Sequence, residues 1–207
     1  EVLGDPEVRL RIRALEALGA FGAEAKAALP ELVQALKESP EGRASVAAER
    51  PVRVRAMEVL GMLGKEAKTA LPELVPFLSA KDPDLCMKAS EALVKIASSE
   101  ELIPRLEQIL KSDHAADNGY LGVLNAIRLM NPRTEFAVPL LATVLGKGVG
   151  GAEELLAPFG PAAAPKVILV ATDRQADPQG RWNAMDLLET WGVVKTGALP
   201  ALVQILK

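Results

Sequence analysis

The sequence predicts an all-α solenoid, a right-handed α-α superhelix of about five to six stacked helical hairpins. Three observations lead there. Residues 10–37 and 52–79 are the same text offset by 42 positions, identical at 17 of 28. An apolar residue followed by Pro recurs six times, each time ahead of leucines and valines at helical spacing. Hydrophobic residues make up 49% of the chain but aromatic ones only 3%, so the apolar mass is Ala, Leu and Val, the composition of closely packed helices. A tandem repeat of this kind replaces one closed core with a stack in which each unit shelters its neighbours.

The shared text, R-x-R-A-x-E-x-L-G-x-x-G-x-E-A-K-x-A-L-P-E-L-V, specifies two helices and the turn between them. The apolar-Pro marker stands at Leu29-Pro30, Leu71-Pro72, Ile103-Pro104, Val138-Pro139, Ala164-Pro165 and Leu199-Pro200. Proline fits the first turn of a helix, where its missing amide hydrogen has no partner to lose, so each marker is read as a helix start. Downstream, Leu32, Val33 and Leu36, then Leu74, Val75 and Leu78, then Leu106, Ile109 and Leu110 give each helix one apolar stripe. The companion helices precede the markers at 10–21, 52–63, 85–97, about 119–130, about 152–159 and 180–191. Gly19-x-x-Gly22, Gly61-x-x-Gly64 and Gly192 supply the left-handed caps that end them.

The marker spacings are 42, 32, 35, 26 and 35 residues. The surplus falls at 38–50, rich in Ser, Pro, Gly and Glu, which reads as an exposed loop. The shortage falls at 146–165, crowded with Gly and Pro, within a degenerate section at about 113–165. That segment is expected to be the weakest-packed and most mobile. Helices of about 12 residues are marginal alone, and stacking them at about 8–10 Å gives a curved rod of roughly 50 Å with two rows of helices.

These residues resemble the HEAT repeats, and more closely the bacterial HEAT-like repeats of the phycobilisome-lyase type. The resemblance rests on the Pro-opened helix, the Asp5-Pro6 and Asp82-Pro83 turns, and second helices written Leu10-Arg11…Ala14…Leu18-Gly19, Val52-Arg53…Ala56…Leu60-Gly61, Leu85…Ala89…Leu93 and Gly180-Arg181…Ala184…Leu188. It implies a ladder of hydrogen bonds between repeats through Asp5, Arg11, Arg53 and Arg181, with Cys86 and Tyr120 replacing the ladder arginine in the middle units. It further implies that second helices line a concave face. Counting three, six and ten residues from each opening apolar position places Arg13, Glu16 and Ala20 there, then Arg55, Glu58 and Met62, then Lys88, Glu91 and Lys95. Gly122, Asn125 and Leu129 follow, then Asn183, Asp186 and Thr190. Arginine and glutamate three apart can pair along their own helix, which makes a solvated charged face the plain interpretation. The functional one is a groove that selects a protein or peptide segment by charge order, with Met62 and Leu129 as apolar contacts.

Charge argues against nucleic acid, since 24 basic and 27 acidic residues are interspersed and no basic face exists to displace counterions from phosphates. No run of about 18 uninterrupted apolar residues suggests a membrane span, and Glu1–Asp5 lacks a basic and apolar leader, so a cytoplasmic location is the default. The single Cys86 rules out an intrachain disulfide framework and is expected to be a small apolar residue in a helix. His114, in Ser112-Asp113-His114-Ala115-Ala116-Asp117, invites a metal, but an Asp-rich turn that caps helices explains it as well. With one histidine no nucleophile-base triad is credible. Trp182 and Trp191, nine apart, point to opposite sides of one helix, one toward the core.

The sequence therefore points to a noncatalytic protein-interaction scaffold or spacer without cofactor or metal, binding its partner on the concave face. The chain, 1–207, reads as one repeat array and a fragment of a longer protein. Its last helix, with Leu199, Leu202, Val203 and Leu206 on one side, allows end-to-end self-association. The alternative is a HEAT-like enzyme or chromophore-handling protein of the lyase type, or one like the alkylpurine DNA glycosylases, using the same groove.

Overall fold

In a computed structural model of the protein, residues 3, 5, 7–37, 46–112, 118–130 and 136–193 are described, and every element among them is helical. The helices are α1 (Val8–Phe21), α2 (Leu29–Lys37), α3 (Val46–Leu63), α4 (Leu71–Leu74, continuing as a 3-10 turn over Val75–Ser79), α5 (Pro83–Ile96), α6 (Ser99–Lys111), α7 (Gly119–Leu129), α8 (Ala137–Leu145), α9 (Ala152–Leu156), α10 (Ala164–Thr172) and α11 (Pro178–Thr190). Each even-numbered helix packs on the odd-numbered one that follows it. The odd helices then pack in sequence, α1 on α3, α3 on α5 and α5 on α7, while α2 meets α4 and α8 lies between α6 and α10. Successive hairpins touch, and the fold is an all-α solenoid.

The stripes drive this order. On α3, Val52, Ala56, Leu60 and Leu63 are buried at steps of three and four, and on α5 Leu85, Ala89, Leu93 and Ile96 repeat the pattern. The connectors follow from the shared text. Gly22 and Gly64 hold φ of 55° and 54°, a conformation that costs other residues about 1–2 kcal/mol, and lead into 3-10 turns that end at the next Pro. Gly19 and Gly61, by contrast, lie inside helices. A Cβ on Gly61 would stand 3.3 Å from the Ala92 Cα, so its bare backbone lets α3 and α5 approach closely.

A second device recurs between repeats. Gly122 on α7 rests on the Leu78 carbonyl that ends the α4 unit, and Gly180 on α11 rests on the Leu145 carbonyl that ends α8. Beside the first contact, the Asn118 side-chain amide donates to Ala80 at 2.8 Å; beside the second, the Asp177 amide donates to Gly146 at 2.9 Å. The E-A-K text adds ion pairs from unit to unit, Lys26 to Glu66, Lys68 to Glu101 at 2.6 Å, and nearby Lys37 to Glu73 at 3.0 Å.

Several expectations are corrected. Residues 46–50, expected in a loop, form the first turns of α3, because Val46-Ala47-Ala48-Glu49-Arg50 are able helix formers that extend the helix upstream of Pro51. Residues 38–45 of that expected loop lie outside the described residues. Pro104 does not open its helix: α6 starts five residues earlier, where Ser98 and Glu101 form a reciprocal capping box. The section 146–165 buries Ala152, Leu156, Ala163 and Ala164 fully or almost fully, and it is irregular in helix length, with α9 reduced to five residues. Residues 152–172 include an 18-residue window whose mean hydropathy, 1.5, is that of a membrane-crossing helix. They are not one helix, because Gly160 at φ 58° and ψ −150° breaks the run, and Val167, Val170 and Ala171 beyond it join the core. His114 and residues 199–207 lie outside the described residues.

Candidate functional site

Because α1, α3 and α5 carry a basic residue and a glutamate three positions later, their packing side by side brings six charges into one row. Arg13 pairs with Glu16 at 3.0 Å, Glu16 with Arg55 at 3.6 Å, Arg55 with Glu58 at 2.6 Å, Glu58 with Lys88 at 3.6 Å, and Lys88 with Glu91 at 3.0 Å. Pairs within a helix thus alternate with pairs between helices, and each interior member has an opposite charge on both sides. The Glu91 hydrogen bond, with the Glu58 charge behind it, holds the Lys88 ammonium above its ordinary pKa.

Between α3 and α5 the row borders a groove of about 360 Å³ that also receives Gly61, Met62, Ala92 and Lys95. Met62 is 57% exposed there although it is large and apolar. The face changes character after α5. Asn125 was placed on the groove as a polar contact but is only 6% exposed, and Gly122 is buried against Leu78, because the close approach of α7 to the α4 unit draws that side of the helix inward. Leu129 is exposed as expected. On α11, Asn183 accepts from the Gln179 side chain at 2.8 Å, and Asp186 is exposed.

Of the residues assigned to the ladder, Asp5 accepts the Glu7 amide hydrogen of its own turn at 2.8 Å, and Arg11 is buried. Arg53 stands 5.9 Å from the centre of the Phe77 ring, a cation-π contact between α3 and the next unit. Arg181 donates to the Ala171 carbonyl at 3.3 Å, near the end of α10. Cys86, at the arginine position of its helix, does the equivalent job with Sγ donating to Leu78 at 3.3 Å. Arg50 bridges to a turn aspartate of the next repeat, binding Asp82 and, at 2.7 Å, the neighbouring Asp84. Burial pulls the Asp82 carboxyl up, but Arg50 and the amides of Asp84 and Leu85 outweigh it and hold it low. Arg50 was missed because its segment read as a loop.

An apolar row was also overlooked. One residue ahead of the groove's basic position in each aligned second helix stand Ile12, Val54, Met87, Leu121 and Trp182. The last three are exposed, Trp182 at 64%. Trp191, on the other side of that helix, packs on the core and donates to Ala157 at 3.2 Å. Aligning all the repeats, rather than the first two, would have revealed this row.

Residues 41–118 match the family of HEAT repeats, and residues 10–38 match the PBS lyase HEAT-like repeat. The chain is a HEAT-repeat protein. The two matches together take in the whole charged row, from Arg13 to Glu91, and just over half of the sequence. No curated protein matches the chain. HEAT repeats generally mediate protein interactions, which makes their packed second helices a natural place to seek a binding face.

Proposed function

We propose that this HEAT-repeat chain is a noncatalytic scaffold or spacer that seats a protein or peptide partner on the concave, second-helix side of the array. The observation that supports this most strongly is the alternating row from Arg13 to Glu91. Half-exposed ion pairs contribute little to stability, so three cations and three anions held in register across three helices are better explained by recognition. Their mutual pairing pre-arranges them, which lowers the ordering cost when a partner of complementary charge order exchanges pairs with them. Met62 and the apolar row beside the charges supply the desolvated contacts that give such an interface its affinity. Nucleic acid does not suit this face, because the three anions of the row repel phosphates and Lys95 is the one cation beyond the three they pair with.

The rival reading, a chromophore-handling protein, draws its support from the PBS lyase HEAT-like match at residues 10–38. Affinity capture from native extract with the immobilised chain separates the two. The proposal predicts a stoichiometric protein partner, lost from the R13E/R55E/K88E variant while helicity by circular dichroism is unchanged. Capture that survives the triple reversal, or a co-purifying pigment or base-release activity, overturns it.

A further inference from the structure

The groove between α3 and α5 has one cation left over. Arg55 is held by Glu16 and Glu58, and Lys88 by Glu58 and Glu91, whereas Lys95 is exposed and forms no ion pair or hydrogen bond among the described residues. Glu91, one turn before it on α5, is already committed to Lys88 at 3.0 Å. The groove lining therefore sets three cations, Arg55, Lys88 and Lys95, against two anions, Glu58 and Glu91. Lys95 is placed by a device that recurs one repeat earlier. Met62 and Lys95 hold the same position on α3 and α5, four residues after the glutamate of the row. Each lies over a glycine of the helix before: a Cβ on Gly19 would stand 3.6 Å from the Met62 Cε, and one on Gly61 would stand 3.4 Å from the Lys95 Cδ. Bare backbone thus lets a long side chain lie across the seam between two helices, and Lys95 rests its stem there while its charged end stays free. Equivalent positions on packed neighbours are about 8–10 Å apart, so an apolar contact and an unpaired cation stand one repeat apart along the groove.

Resting on the concave-face reading above, we infer that Met62 and Lys95 together select an extended segment of a partner protein, one that carries an apolar side chain and a glutamate three residues apart. The apolar side chain packs on Met62, which is 57% exposed, and the glutamate carboxylate accepts from the Lys95 ammonium. Charge decides the sign. An incoming lysine or arginine meets Glu58 and Glu91 already paired and must displace a cation from one of them, whereas an incoming carboxylate meets a cation that has no pair to give up. Spacing decides the conformation. Helices packed at about 8–10 Å leave no room between them for a third, about 10–12 Å wide, so the groove of about 360 Å³ receives side chains from a segment that crosses above it. A polyproline-type segment returns its side chains to one side every third residue at about 3.1 Å per residue, roughly 9 Å, which matches the step from α3 to α5.

The test uses a fluorescent peptide of about twelve residues, rich in proline to hold it extended, with one leucine and one glutamate three residues apart. Both ends are blocked, so the glutamate side chain is its one carboxylate. A second peptide reverses the order of leucine and glutamate to cover both directions of approach, and each has a twin with glutamine for glutamate. Anisotropy should show saturable binding of one order, with its glutamine twin bound at least about tenfold more weakly. K95Q should remove the preference for glutamate over glutamine, M62A should weaken both peptides alike, and K147Q, a lysine outside the groove, should bind as the parent does, all with helicity retained. No binding of either order, equal binding of the glutamine twin, or a K95Q variant that keeps the preference overturns the inference. The scaffold reading fails on a separate result, capture of the protein partner that survives R13E/R55E/K88E.

Discussion

Gly122 lies so close to Leu78 that a Cβ built on it would stand 2.2 Å from the Leu78 carbonyl oxygen, and Gly180 repeats the contact with Leu145 at 2.0 Å. Both joints set a second helix on the end of the first helix of the preceding unit. Backbone on one side and helix on the other leave nothing flexible to yield.

Gly122→Ala and Gly180→Ala should therefore destabilise the array by about 1–3 kcal/mol or more, despite the gain of about 1 kcal/mol that alanine normally brings inside a helix. Gly150→Ala, where nothing lies within 4 Å, should leave the urea midpoint nearly unchanged. Equal midpoints for all three variants would show that the joints can open without cost.

Glu101 gives the acid limb of stability a specific source. The Lys68 hydrogen bond, helped by the Ser98 amide, lowers its pKa from 4.5 to about 2. Since the folded value is the depressed one, this contribution is present above the ordinary pKa and is lost as pH falls from 4.5 toward 2. A carboxyl-carbon titration by NMR should place Glu101 near 2, and Lys68→Ala should raise it. E101Q should remove that part of the acid destabilisation; an ordinary midpoint in the parent would break the assignment.

Arg50 ties α3 to the N-terminal turn of α5 through Asp82 and Asp84. Arg50→Ala should raise the Asp82 pKa toward the usual carboxylate range and lower the thermal midpoint, more at low salt than at high salt, where screening already weakens the pair. No change in the Asp82 titration would contradict the bridge.

Cys86 is fully buried, and burial raises its thiol pKa. Thiol labelling of the native protein should be slow and should track unfolding in urea, because the thiolate is the reactive form and neither solvent nor reagent reaches it. Rapid labelling without denaturant would place α5 differently.

Much of the fold was legible because the repeat text carries it: the stripes of α3 and α5, the Gly22 and Gly64 turns, and the pairs Arg13–Glu16, Arg55–Glu58 and Lys88–Glu91 all follow from register within one helix, whereas the Glu16–Arg55 and Glu58–Lys88 pairs that join them do not. What escaped depended on register between helices. Asn125 occupies the glutamate position of its own helix, yet the glycine beside it in space lets α7 sink toward Leu78 and carries the asparagine inward. Proline misled at Pro104, since a proline inside a helix removes one hydrogen bond but need not begin the helix when a capping box stands upstream.

The partner surface itself is best tested through Met62, exposed in the groove, against Met130, buried just past the end of α7 and away from the groove. With methyl-labelled methionine, titration of the captured partner should move the Met62 methyl resonance and leave Met130 in place. A complex that forms while Met62 stays fixed would remove the charged row from the interface and contradict the account.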